Sequence, residues 1–329
     1  MGYQNVGTPR FYINYLNYWY HSGLFTGDEI QDELPGDNIK KIIQLISMNP
    51  SSIQSFDFSG QDTGSFRVPT PYTDEQFNLN YMAVLGHSLN TINGFVYPTC
   101  GDGINGYEMT GKSEIVNWTG SESYPEYDGW SLIEFDGVDT DGYSYVGTTL
   151  HGVIGNMVSL GGISIGRYYN MPNSPDLSLT VTHEYGGVNN METKGGASLS
   201  NALWTKPPDW GNLQAWQLGN WDWLYSGRRV WDLSLSYVSD ENLEPQNYTG
   251  TALNSSHTPG EDNFFQNVIH YTNGGQLPFL FCPDPSVTYD SNKWIVPELA
   301  ICKFDMNSFS RRQVAHKVYN IKIKVREIF

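Results

Sequence analysis

Tyr319-Asn320-Ile321-Lys322-Ile323-Lys324-Val325-Arg326 alternates an apolar with a polar residue for eight positions. Successive side chains of a β-strand point to opposite faces. The run therefore puts Tyr319, Ile321, Ile323 and Val325 on one face and Lys322, Lys324 and Arg326 on the other. A helix would scatter the same residues around its axis. Two more runs keep the period. Trp231, Leu233, Leu235 and Tyr237 alternate with Asp232, Ser234 and Ser236, and Leu177, Leu179 and Val181 alternate with Ser178, Thr180 and Thr182. Clusters of Gly, Pro, Asn and Asp lie between such runs. The reading is a mainly β protein, of antiparallel β-sandwich or jelly-roll modules with one or two short helices.

Helical signals are few. In Asp37 to Met48, the isoleucines at 39, 42, 43 and 46 keep the i, i+3, i+4, i+7 spacing behind an Asp cap, and Pro50 ends the segment. Asp262 to Tyr271 is a shorter candidate, with Phe264, Phe265, Val268 and Ile269 on one side. Composition divides the chain into three zones. Residues 1–65 hold an aromatic strand, Phe11 to Tyr20, and the isoleucine helix. Residues 66–170 are acidic and glycine-rich, and residues 171–329 hold the longer alternating strands.

Charge restricts the partners. The 329 residues carry 18 Lys+Arg against 35 Asp+Glu, a net −17, which disfavours duplex nucleic acid and anionic membrane surfaces. The deficit is uneven. From Lys303 onward, seven basic residues (Lys303, Arg311, Arg312, Lys317, Lys322, Lys324 and Arg326) face only Asp305 and Glu327, so this end is +5 and the preceding body −22. Lys322, Lys324 and Arg326 are interface candidates, or else one exposed lysine face protecting an edge strand. The start, Met1 to Val6, has neither a basic apolar leader nor a myristoylation pattern, and no apolar run approaches a membrane span. The expectation is assembly in a cytoplasm. Cys100, Cys282 and Cys302 are odd in number and widely spaced, which reads as buried thiols rather than a disulfide framework or zinc motif. On the same expectation the sequons at Asn117, Asn247 and Asn254 carry little meaning.

Gly101-Asp102-Gly103-Ile104-Asn105-Gly106 matches a dinucleotide fingerprint by letters, yet no helical period follows it, so a loop between strands explains the glycines. Gly86-His87-Ser88-Leu89-Asn90 lacks the second glycine of a nucleophile elbow and runs into a strand through Phe95 and Tyr97. Histidines 21, 87, 151, 183, 257, 270 and 316 show no metal spacing and read as hydrogen-bonded structural residues. In Asp136-Gly137-Val138-Asp139-Thr140-Asp141-Gly142, carboxylates two or three apart in a turn make Asp136, Asp139 and Asp141 weak Ca²⁺ candidates against a solvated turn. Six tryptophans crowd one stretch: Trp204, Trp210, Trp216, Trp221, Trp223 and Trp231. They either stack on sugar rings or pack a subunit interface, and Pro207-Pro208 suits an extended segment lying on another surface. No two acids pair across a cleft as a glycosidase needs, no catalytic set emerges, and no cofactor is implied.

Several runs together resemble a known group. Asn80 to Leu89 resembles the opening strand of galactose-binding-like jelly rolls found in bacteriophage tail proteins, and Gly161 to Arg167 looks like the closing strand of that module. Ser226 to Ser236, Leu277 to Phe281 and Tyr319 to Glu327 resemble strands of phage distal tail and baseplate proteins. The likeness covers residues from about 75 onward in patches. It implies a jelly-roll-like domain over 66–170, a distal tail protein-like β domain over 171–329, and a virion structural protein of the tail. Such a protein is not an enzyme; it forms a ring of copies joining the tube to adhesion devices and neighbouring tail proteins. Around a DNA conduit, an acidic lining would repel the passing phosphates and leave the +5 terminus facing an adjacent copy. The alternatives are a carbohydrate-binding or depolymerising protein acting on host glycan, and a capsid-associated decoration protein.

Overall fold

The computed structural model describes residues 7–48, 53–71, 78–102, 105–108, 111–116, 129–139, 144–151, 154–177, 179–184, 188–202, 209–210, 213–214, 228–244, 262–287 and 298–328. An eleven-stranded antiparallel sheet dominates. Its order is Thr180–Glu184, Arg228–Ser239, Val318–Glu327, Ala300–Phe304, Phe279–Cys282, Arg10–Asn14, Gly162–Asn170, Asn78–His87, Gly129–Asp139 and Gly111–Val116, and Arg311–Ala315 pairs separately with Val318–Glu327. Arg10–Asn14 lies in the middle. It sets Tyr12 opposite Tyr168 on one side and Phe11 opposite Phe281 on the other. All three compositional zones thus contribute strands to one sheet.

A second sheet has five strands in the order Gln31–Asp32, Gly64–Pro69, Tyr145–His151, Phe95–Asp102 and Asn105–Glu108. Its inner residues Phe66, Val68, Val96, Val146 and Leu150 share one core with Ile13, Met82, Val84, Ile163 and Ile165 of the large sheet. Thr148 Oγ1 reaches Met82 Sδ across the layers at 3.8 Å. The two sheets form the antiparallel sandwich that the alternating runs imply. The far face of the large sheet is buried too, with Tyr12, Tyr81, Ala83, Leu85, Leu132 and Ile301 around Met48 and Trp130. Burial on both faces accounts for the unbroken apolar run Tyr81 to Leu85, because neither set of alternating side chains meets water.

Local chemistry sets the element ends. Phe11 to Tyr20 is not one strand: the strand stops at Asn14 and a helix runs Tyr15–His21. Asn14 Oδ1 accepts the Asn17 amide N–H at 3.3 Å, an N-cap that turns the chain, and Tyr15, Leu16 and Trp19 then bury one helical side. The isoleucine helix spans Ile39–Ile46 and buries Ile42, Leu45 and Ile46. Its cap differs from the expected Asp37: Asn38 occupies the position, and its N–H is held by the Asp32 carboxylate at 3.1 Å. The second candidate forms a single π-helical segment, Phe265–His270, whose start is fixed by Asn263 Oδ1 accepting the Gln266 N–H at 2.9 Å.

Alternation breaks in two places. Trp231, Leu233 and Leu235 are buried as expected, but a bulge shifts the register between Leu235 and Val238. Tyr237 takes φ 59° and stands 75% exposed while Val238 fills the core position. Leu177 is also exposed, and its strand begins only at Thr180. Gly166, opposite Asn14, is required by close approach. A Cβ there would lie 2.0 Å from the Ile13 carbonyl oxygen.

Candidate functional site

The five-stranded sheet turns its second face outward. Along Phe95–Asp102, Val96 and Cys100 enter the core while Phe95 and Tyr97 stay half-buried on the outer side. Pairing with Tyr145–His151 places His151 opposite Phe95 and Thr149 opposite Tyr97. The three rings cluster. Phe95 and His151 have centroids 5.2 Å apart with planes 12° from parallel, Tyr97 and His151 are also 5.2 Å apart at 24°, and Phe95 and Tyr97 are 6.2 Å apart. The Tyr97 hydroxyl is hydrogen-bonded to His151 Nε2 at 2.7 Å, which fixes both ring orientations. Across the next strand pair, Ser65 lies opposite Thr149; its buried hydroxyl donates to the Glu33 carboxylate, which Arg67 approaches at 3.9 Å.

This arrangement is a preorganised aromatic surface. Rings that already hold one another lose little rotamer freedom when a ligand arrives. An aromatic face fits a molecule with a C–H face, as a pyranose has. The i, i+2 spacing of Phe95 and Tyr97 is visible in the sequence. His151 joins them only through strand pairing, 54 residues away.

The other candidate residues fall as follows. Gly101 pairs with Gly106 and Asp102 with Asn105, so the glycine motif straddles a β-hairpin and opens no helix. The strand Asn78–His87 ends at His87, whose Nε2 is 2.7 Å from the Ser131 hydroxyl in the core, and Ser88 Oγ accepts the Ser159 N–H at 3.0 Å. No helix follows, so the serine lies in no elbow. The expected Asp/Gly turn is corrected: Asp136 and Asp139 belong to the strand Gly129–Asp139, and Asp141 lies outside the described residues. Pairing with Asn78–His87 extends this strand as far as Asp139. Among the described residues no group of three His, Cys, Asp or Glu side chains could hold a metal.

Trp231 is fully buried, whereas Trp204, Trp216, Trp221 and Trp223 lie outside the described residues and Trp210 is placed only as a strand residue paired with Leu213. The basic terminus is partly neutralised within the chain. Lys324 and Arg326 both reach Asp305 at 2.9 Å, Arg326 reaches Glu184 at 2.8 Å, and Arg311 pairs with Glu244. Lys324 and Arg326 hold Asp305 below its ordinary carboxylate value by hydrogen bonding and charge. Lys322 remains exposed. All three cysteines are free and buried, and burial pushes the Cys282 thiol up to about 12.

No family model matches the chain, and no curated protein does. Several solved structures show a partial likeness. The lectin domain of lectinolysin complexed with Lewis B antigen is 10% identical and aligns with 42% of this chain and 91% of its own, at TM-score 0.28. A Streptococcus pneumoniae fucose-binding module is 10% identical over 42% of this chain and 93% of its own, at 0.29. A Clostridium perfringens module in complex with GalNAc-β-1,3-galactose is 11% identical over 43% and 97%, also at 0.29. At these TM-scores the likeness carries no function across.

Proposed function

We propose that this chain is a non-catalytic carbohydrate-binding β-sandwich protein whose outward aromatic face, Phe95, Tyr97 and His151, stacks on sugar rings. The observation that supports it is the fixed, half-exposed ring cluster on a rigid sheet, with the Tyr97–His151 hydrogen bond holding it in place. Aromatic pairing contributes about 0.5–1.5 kcal/mol beyond area burial, so removing one ring weakens binding about three- to tenfold. Affinity electrophoresis through gels containing neutral polysaccharides tests this. Phe95→Ala should be retarded less than wild type while still melting in one cooperative transition, at a slightly lower temperature because Phe95 also packs against the core. Equal retardation of the two proteins, or none for wild type on any glycan tried, overturns the reading.

A second reading, an assembly role in a phage tail tip, draws on a different feature. The hairpin Val188–Glu192 with Ser198–Ala202 pairs Met191 with Leu199, and these two side chains are 68% and 57% exposed. A two-stranded hairpin is marginal alone, and an exposed apolar pair on one suits packing against another subunit. In this reading the arm holds copies together in a ring that presents the sugar-binding face.

A further inference from the structure

We propose a second ligand site, a cleft that takes a carboxylated monosaccharide such as a uronic acid residue. The inference deepens the carbohydrate reading and rests on it, but it concerns a different part of the molecule.

The cleft encloses about 410 Å³ where the Tyr15–His21 helix, the end of the Ile39–Ile46 helix, the turn after Phe265–His270 and the last strands meet. Asn17 is the central observation. It is 1% exposed and lines the cleft, yet neither Oδ1 nor Nδ2 has a hydrogen-bond partner among the described residues. Other buried carboxamides are engaged: Asn14 Nδ2 donates to the Ile46 carbonyl at 2.9 Å and Asn267 Nδ2 to the Asn263 carbonyl at 3.1 Å. Buried polar groups are nearly always paired, so an orphaned carboxamide lining a cleft calls for a partner such as a water, an ion or a ligand.

The lining specifies that partner. Asn17 and His21 are four residues apart on one helix face, and Asn273 and Gln276 add two more carboxamides on the turn. A carboxamide offers a donor beside an acceptor, which matches hydroxyl groups that are both. Ser47 Oγ donates to the Ile43 carbonyl at 2.8 Å, so toward the cleft it acts as an acceptor. Lys303 is a half-buried cation that makes no ion pair among the described residues, and the described lining residues include no Asp or Glu to neutralise it. Met48, Leu277 and Ile328 supply an apolar wall for a C–H face. Two helix C-termini, at His21 and Ser47, border the cleft. Their partial negative charge receives hydroxyl donors and leaves the anion to the Lys303 side. The volume lies at the small end of ligand pockets, about 300–1,000 Å³, and suits one sugar ring rather than a chain.

Titration calorimetry of the full chain with sodium glucuronate, glucose and sodium acetate is the test. Glucuronate should bind, with glucose and acetate each at least tenfold weaker, since each offers only half of the chemistry. Lys303→Gln should reduce glucuronate binding at least tenfold, and Asn17→Leu and the surface variant Gln276→Ala should weaken it while melting cooperatively. Glucuronate binding unchanged in Lys303→Gln and Asn17→Leu overturns the proposal, as does acetate binding equal to glucuronate or no glucuronate binding at all. Retardation by neutral polysaccharide reports the aromatic face and free glucuronate reports the cleft, so either reading can fail alone.

Discussion

Replacing Arg229 by Met should cost about 3–5 kcal/mol at pH 7.5, the usual price of stranding a buried charge. Its guanidinium reaches Glu327 through Nε at 3.0 Å and a terminal nitrogen at 2.8 Å, Glu298 at 2.6 Å and the Leu299 carbonyl at 3.1 Å. The Glu327 side chain is 1% exposed, and without the guanidinium only the backbone N–H of residue 229, at 2.8 Å, would still reach it among the described residues. Two carboxylates would then share a dry site with no cation. Unfolding entropy of roughly 2 cal/mol/K per residue gives ~0.7 kcal/mol/K for this chain, so the loss corresponds to a fall in Tm of ~4–7 °C. The pH dependence has a definite sign. Burial, reinforced by Glu327, raises Glu298 to about 7 from an ordinary 4.5. A carboxyl whose folded value is raised contributes stability that is complete below about 4.5 and is lost as pH rises through about 7. The Arg229→Met deficit should therefore shrink between pH 7.5 and pH 5, as the stranded Glu298 carboxyl takes up a proton. Calorimetric melting at both pH values measures this. A deficit below about 1 kcal/mol at pH 7.5, or the same deficit at pH 5, would refute the reasoning.

Gly166→Ala forces a methyl to within 2.0 Å of a backbone carbonyl at the strand pair that joins the halves of the large sheet, so soluble yield should collapse; a variant that melts like wild type would show the strands separate freely. Asn17→Leu removes two orphaned polar atoms and no side-chain hydrogen bond among the described residues, and should raise the Tm of the unliganded protein by ~1–4 °C, from about 1–3 kcal/mol at ~0.7 kcal/mol/K; a lower Tm would mean the amide is structural. Met191→Glu with Leu199→Lys should leave Tm within a degree or so and abolish any self-association seen by light scattering, because both side chains are exposed.

The strands were legible wherever one period governed both local preference and burial. Leu233 and Leu235 point into the core, as do Ile321, Ile323 and Val325, all as their alternation implies. Phe11 to Tyr20 was misread because aromatic residues favour strands locally, while the Asn14 cap and the burial of Tyr15, Leu16 and Trp19 decide for helix after Asn14. Tyr237 escaped because a bulge is set by the partner strand, Val318–Glu327. Of the aromatic face, Phe95 and Tyr97 stood in a readable strand, but His151 looked like one more scattered histidine. The cleft was invisible, since its lining runs from Asn17 to Ile328 and no local pattern connects them.

The central place of Arg10–Asn14 has a consequence for synthesis on the ribosome. This strand is made before both of its neighbours, which arrive only with Gly162–Asn170 and then Phe279–Cys282. At about 5–20 residues per second it waits on the order of tens of seconds with both backbone edges open. The middle of the sheet is consequently closed late, and contacts so distant in sequence make folding slow. A nascent chain stalled before Phe279 would present Phe11 and Ile13 beside an unfilled strand position, a form that holding chaperones bind and that otherwise pairs with another stalled chain.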